Sequence, residues 1–261
     1  AADVAYTKVS PRQGFYHIYM AHNHQFLSWA CMMEGRSTES IRAARDMIAG
    51  VPPEFIRDSG PAIDGYLHIE IEALLRFGKW DEMLAVKKPP ANLPITTAFW
   101  RYGRATALAA KGQMDAAQNE KKEFEKAVAA VPDGAMMAIN PAHKVLEIAR
   151  LSLAGELALR YGDLDLAAKH LREAVAIEDD LQYMEPPDWL WPTRHQLGAV
   201  LIAARKFDEA EKVYLADLKK WPENGWSLYG LGVCLEERNS PEAAEVKARF
   251  ELTYRELDHH R

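Results

Sequence analysis

Residues 197–244 read LGAVLIAARKFDEAEKVYLADLKKWPENGWSLYGLGVCLEERNSPEAA, and one set of landmarks recurs within them. Leu197-Gly198 is followed by Ala210 and Pro222; 34 residues after the first two landmarks come Leu231-Gly232 and Ala244. A fixed period of this length marks an architecture in which one supersecondary unit is stacked repeatedly. Small residues at these positions let two paired helices approach more closely than larger side chains allow. Pro222 closes the second helix of a pair because it cannot continue the hydrogen-bond ladder.

Working outward, the same unit is found through its tight inter-helix turns. Gly35-Arg36-Ser37, Gly78-Lys79-Trp80, Gly112-Gln113-Met114 and Gly162-Asp163-Leu164 each end one apolar-periodic run and begin another. Glycine suits such turns because the left-handed conformation after a helix costs it little. Equivalent turns fall at Arg205-Lys206-Phe207 and Asn239-Ser240-Pro241, where glycine is absent. No alternating apolar stretch bounded by hairpin dipeptides is present. A longer regularity overlies the first: turn positions 35, 78 and 112 recur at 162, 205 and 239, an offset of 127 each time. Side chains follow it, with His68 mapping to His195, Phe99 to Trp226, Tyr102-Gly103 to Tyr229-Gly230, and Lys79-Trp80-Asp81-Glu82 to Lys206-Phe207-Asp208-Glu209. The expectation is an all-α chain, one domain over 1–261, built as two related blocks at roughly 16–135 and 143–261 with three helix pairs in each.

Extra residues interrupt the period around 51–64, 131–143 and 178–191, all rich in Pro and Gly. The last contains Glu185-Pro186-Pro187-Asp188-Trp189-Leu190-Trp191-Pro192, whose aromatics can lie over a groove as a lid or staple the loop to the scaffold. The formal charge of −6 comes from interleaved acids and bases. That excludes the clustered basic stripe a nucleic-acid surface requires. No apolar run approaches the roughly 18 residues of a membrane span. Cys31 and Cys234 sit inside apolar helical patterns and read as buried free thiols. The chain has no initiator Met, which suggests a removed segment or the C-terminal part of a longer protein, cytoplasmic or exported; its oligomeric state is open.

These landmarks resemble the tetratricopeptide repeat (TPR) superfamily over nearly the whole chain. More narrowly, Tyr19-Met20-Ala21-His22-Asn23-His24-Gln25-Phe26-Leu27, Met33-Glu34-Gly35-Arg36 and Glu185-Pro186-Pro187-Asp188-Trp189 resemble segments in the C-terminal part of uncharacterised bacterial TPR-repeat proteins. The resemblance implies a right-handed α-solenoid of about six TPR-like helix pairs. It also implies that a peptide or partner protein binds, without catalysis, in the concave groove formed by the first helix of each pair.

The groove positions of that template are His22, Gln25, Trp29, His68, Glu72, Arg76, Phe99, Tyr102, Ser152, Glu156, Arg160, His195, Trp226 and Tyr229, with Trp189 contributed by the loop. Aromatic anchors would be Trp29, Phe99, Tyr102, Trp226 and Tyr229. Arg76 and Arg160 each stand one turn from a Glu, Glu72 and Glu156, so mutual neutralisation is expected rather than a clamp for a terminal carboxylate. A binding module of this kind should show an open groove with these residues exposed. The alternative is a metal or small-molecule site, possibly catalytic, under the 183–191 loop. His68 and Glu72 lie four apart on one helix face and His22 is a third candidate ligand for a transition metal. This alternative expects a closed pocket with solvent excluded by Trp189. A third reading is architectural, with an apolar uncapped end near Ala1. Trp29 with Met32 and Met33 reads as core. No Gly-rich phosphate loop, His-Glu-x-x-His or nucleophile elbow occurs, and no acid–base pair stands out.

Overall fold

The computed structural model describes residues 5, 9 and 16–258. The apolar end expected near Ala1 and the tail after Asp258 lie outside the described residues. The chain folds into successive helix hairpins: α1 (Tyr16–Met33) with α2 (Ser37–Ala49), and α4 (Ile69–Arg76) with α5 (Trp80–Ala85). These are followed by α6 (Pro94–Ala110) with α7 (Met114–Ala129), α8 (Ala142–Arg160) with α9 (Leu164–Asp179), α10 (Thr193–Ala203) with α11 (Phe207–Lys220), and α12 (Gly225–Glu237) with α13 (Ala243–Asp258). Each hairpin packs on the next in chain order, the arrangement of a helical repeat.

The turns explain why the hairpins form where they do. Gly35, Gly78, Gly112, Gly162, Arg205 and Asn239 all have positive φ, between 54° and 83°. In every case the following N–H bonds the carbonyl five residues back, as in Arg36 to Cys31 (2.8 Å), Lys79 to Leu74 (2.9 Å) and Lys206 to Leu201 (2.8 Å). This is the Schellman closure, which satisfies carbonyls left open at the helix end. The two turns without glycine adopt the same geometry as the four with it.

Three departures from the 34-residue period take different forms. Residues 51–64, where extra residues interrupt the period, hold α3 (Pro53–Ile63), kinked at Ser59, and then begin a 3₁₀ turn, Asp64–Tyr66. Residues 131–143 contain a small antiparallel hairpin, β1 (Met136–Met137) with β2 (Asn140–Pro141), a pairing too short to leave an alternating pattern in the sequence. Residues 181–192 stay irregular and run where α8 and α10 make no contact comparable to that between other neighbouring first helices.

Two apolar cores result. One extends from Met32 to Trp191; the other, from Ala158 to Val246, gathers the last three hairpins. The first core crosses residues 135–143 without a break, so the sequence blocks do not divide the interior. Helix α8 belongs to both cores, through Leu157 on one side and Ala158 on the other. In the second core the Tyr214 ring passes between α10 and α12, so close that a Cβ on Gly198 would meet it at 2.3 Å and one on Gly230 at 2.1 Å. Cys31 and Cys234 are buried free thiols, and burial pushes the Cys234 thiol up to about 11. No helix among the described residues is long and apolar enough to cross a membrane.

Candidate functional site

Most of the groove residues expected from the sequence lie on or next to α4, α6 and α8 in the first core and α10 and α12 in the second. The best-defined group surrounds His68, which precedes α4 at the N-cap position and is 2% exposed. The imidazole stacks on Phe99 of α6, ring centres 4.1 Å apart. His68 Nε2 lies 2.9 Å from Glu72 Oε2, but off the line of the imidazole N–H, so the two are close without a directed hydrogen bond. Glu72 is fully buried, and its Oε1 accepts a long bond from the Leu190 N–H at 3.4 Å.

The segment expected as lid or staple lies inside the molecule. Trp189, Leu190 and Trp191 are 2%, 1% and 5% exposed. Trp189 packs on Phe99 and Tyr102 at 6.3 and 6.0 Å, and Trp191 stands beside it at 6.0 Å. The segment is anchored behind the indoles by Asn140, which donates to Asp188 Oδ2 (2.7 Å) and to the Gln182 carbonyl (3.1 Å) and accepts from the Gln182 N–H (2.8 Å). Burial raises the Asp188 carboxyl above the usual aspartate range against the pull of Asn140. Around these rings several buried polar atoms find no hydrogen-bond partner among the described residues: His68 Nδ1 and Nε2, Glu72 Oε2, Trp189 Nε1 and Trp191 Nε1. Buried polar groups are normally paired, so this group of atoms stands out from the rest of the core.

Arg76 does not pair with Glu72: among the described residues no ion pair joins them, and this expectation is corrected. Its guanidinium instead crosses to the second core, donating from Nη2 to His195 Nδ1 at 2.8 Å and lying over Trp226 (3.9 Å) and Trp191 (5.4 Å). His195 Nε2 is 3.0 Å from Asp217 Oδ2, which also accepts from Ser227 Oγ at 2.6 Å. Burial and the adjacent guanidinium depress the His195 pKa. The other expected pair, Glu156 with Arg160, forms at 2.7 Å.

The remaining groove residues are dispersed. His22 packs edge-on against Phe26 at 4.9 Å, Phe26 against Trp29, and Trp29 against Trp221 at 5.6 Å. Trp226 Nε1 donates to the Met32 carbonyl at 3.2 Å, tying the first hairpin to the last. Gln25, Phe99 and Tyr102 are buried, whereas Tyr229 is 62% exposed and packs its ring on Phe250. The metal set proposed from sequence is not assembled: among the described residues no three His, Cys, Asp or Glu side chains are grouped to hold an ion. His22 is committed to the α1 aromatic stack, and His68 with Glu72 makes only a pair.

Sequence reasoning missed Asp64, Asn140, Asp217 and Ser227. Each acts across a distance of 10 to 48 residues on a partner no periodicity indicates. Set against known proteins, the chain matches no family model, no curated protein and no solved structure.

Proposed function

We propose that the chain is a right-handed solenoid of six tetratricopeptide-type hairpins whose inner face holds a small polar ligand rather than an extended peptide. One observation carries the choice: Trp189, Leu190 and Trp191 of the chain itself lie along α4 and α6 where a peptide would run, and the polar atoms around them lack partners. The lining supplies both kinds of hydrogen-bonding group, donors from the two indoles and an acceptor from Glu72, beside the flat rings of Phe99 and Trp189. Pockets of this composition orient small ligands by a few placed polar groups against aromatic walls. The repeat assignment is supported by the 34-residue register and by six turns with one closure geometry. No reaction is assigned.

A second reading keeps a peptide or partner protein as the ligand, and the exposure of Tyr229 at the end of the inner row favours it. The two readings separate in a thermal-shift panel of free amino acids, monosaccharides and mixed decapeptides, run on wild type, Glu72→Gln and Tyr229→Ala. A monosaccharide or amino acid that raises the wild-type Tm but not that of Glu72→Gln supports the small-ligand reading. Shifts from decapeptides alone, lost in Tyr229→Ala and kept in Glu72→Gln, transfer the function to the second reading. No shift from any member of the panel counts against both.

A further inference from the structure

Arg76 and His195 come from helices 119 residues apart, and their bond joins α4 to the second core. Its chemistry admits one protonation state. An arginine guanidinium only donates, so His195 Nδ1 must be the bare acceptor and Nε2 must carry the hydrogen given to Asp217 Oδ2. We propose that Arg76 and His195 form a proton-operated latch that holds α4 against α10 and α12 and controls access to the inner face. The inference rests on the ligand reading only for what the latch encloses.

When His195 takes up a proton, both ring nitrogens become donors. Nδ1–H then faces Arg76 Nη2 at a distance of 2.8 Å, donor against donor and cation against cation. Burial and Arg76 oppose that proton and Asp217 favours it through Nε2, so in sufficient acid it binds and the guanidinium is displaced. Its departure removes the cation from the faces of Trp226 and Trp191. Trp226 in turn carries the bond to Met32, so the first hairpin loosens from the last.

The charged groups facing His195 fit this direction. Arg76 comes from α4 and Asp217 from α11, with Tyr214 behind Asp217. On α10 itself Arg194 is engaged by Asp179 of α9 at 2.5 and 2.7 Å. Glu178 of α9 accepts from the Thr193 N–H. From α12 come Trp226 and Ser227, neither charged near neutrality.

The test uses the full chain without ligand. At pH 7.5, nitrogen-15 histidine NMR should report His195 with bare Nδ1 and protonated Nε2. Hydrogen exchange at pH 7.5 and 5.0, corrected for intrinsic rates, should show peptides covering 69–76 and 222–229 losing at least tenfold protection at the lower pH, with residues 37–49 unchanged. His195→Gln keeps an acceptor and a donor but cannot gain a proton, so it should stay closed at both values. Equal protection of wild type at the two pH values overturns the latch, as does loss of protection everywhere, or opening of His195→Gln at pH 5.0. If that variant does not fold, the NMR experiment decides alone: a protonated Nδ1 at pH 7.5 overturns the proposal. A failed latch leaves the ligand panel standing, and a failed panel leaves the latch standing, because neither experiment uses the other's readout.

Discussion

Asp64 sits in the 3₁₀ turn before α4, yet its carboxylate closes the start of α6, taking the Ile95 N–H at 2.6 Å, the Thr96 N–H at 2.9 Å and the Thr96 hydroxyl at 2.7 Å. It serves as an N-cap supplied from 31 residues away, at a helix whose own N-cap residue, Leu93, offers no side-chain acceptor. Removing it strands buried donors, so Asp64→Ala is expected to cost about 3 kcal/mol in urea denaturation, with Asp64→Asn intermediate. Trp189 is the comparable apolar case. Trp189→Ala is expected to cost about 4 kcal/mol, because the rings of Phe99 and Tyr102 cannot collapse into so large a gap. At this scale the sequence identified His68 and Glu72 as neighbours through their four-residue spacing. It misread Arg76, because an i,i+4 partner is only one option for a long side chain, and here Trp226 and His195 compete for it in a desolvated interior. Phe99 and Tyr102, expected as exposed groove anchors, are instead core residues, because the Trp189 ring lies against both.

Among the elements, the helix turns were the most legible, because their chemistry is local. Arg205 pays for its left-handed φ of 55° where four sister turns use glycine. Arg205→Gly should therefore raise stability by about 0.5–1 kcal/mol in thermal or urea unfolding, since its ion pair with Glu237 is solvent-exposed and contributes little. The close approach at Tyr214 works in the opposite direction. Gly198→Ala and Gly230→Ala should each destabilise by about 2–3 kcal/mol, and Tyr214→Leu in the Gly230→Ala background should recover part of the loss. The period located Gly198 as a contact glycine. It did not reveal that the neighbour is a ring shared with Gly230, because Tyr214 lies on a third helix. The insertions were located but not described: a kinked helix, a two-residue strand pair and an internal aromatic segment all read alike as Pro- and Gly-rich interruptions.

For the molecule as a whole, α8 contributes to both cores, so the two sequence blocks should not unfold independently. Tryptophan fluorescence and circular dichroism are expected to report coincident urea transitions. The pH dependence combines two opposed contributions. His195 has a depressed pKa in the folded state, so its contribution is complete above the ordinary value of about 6.5 and is lost as pH falls below it. Asp64, Asp188 and Glu178 have raised pKa values from burial, so their contribution is largest in acid and declines as pH rises through the raised values. Between pH 7.5 and 5.5 the urea midpoint of wild type should therefore fall relative to that of His195→Gln, which lacks the His195 contribution. A parallel fall in both proteins would count against the assignment of the acid-sensitive term to His195.

By itself the sequence determined that the chain is predominantly helical and stacked in hairpins, and where each turn falls. Those properties follow from the left-handed turn residues, the 34-residue spacing of small side chains and the 3.6-residue apolar period, all of which act over one or two turns of chain. Only the tertiary structure decided what the inward face became. The Trp189–Trp191 segment packs on α4 and α6, Arg76 bonds His195 of a distant helix, and Tyr102 is buried against Trp189 while its counterpart Tyr229 is exposed. Each of these outcomes is a competition between partners distant in the chain, settled by burial and donor geometry rather than by local pattern.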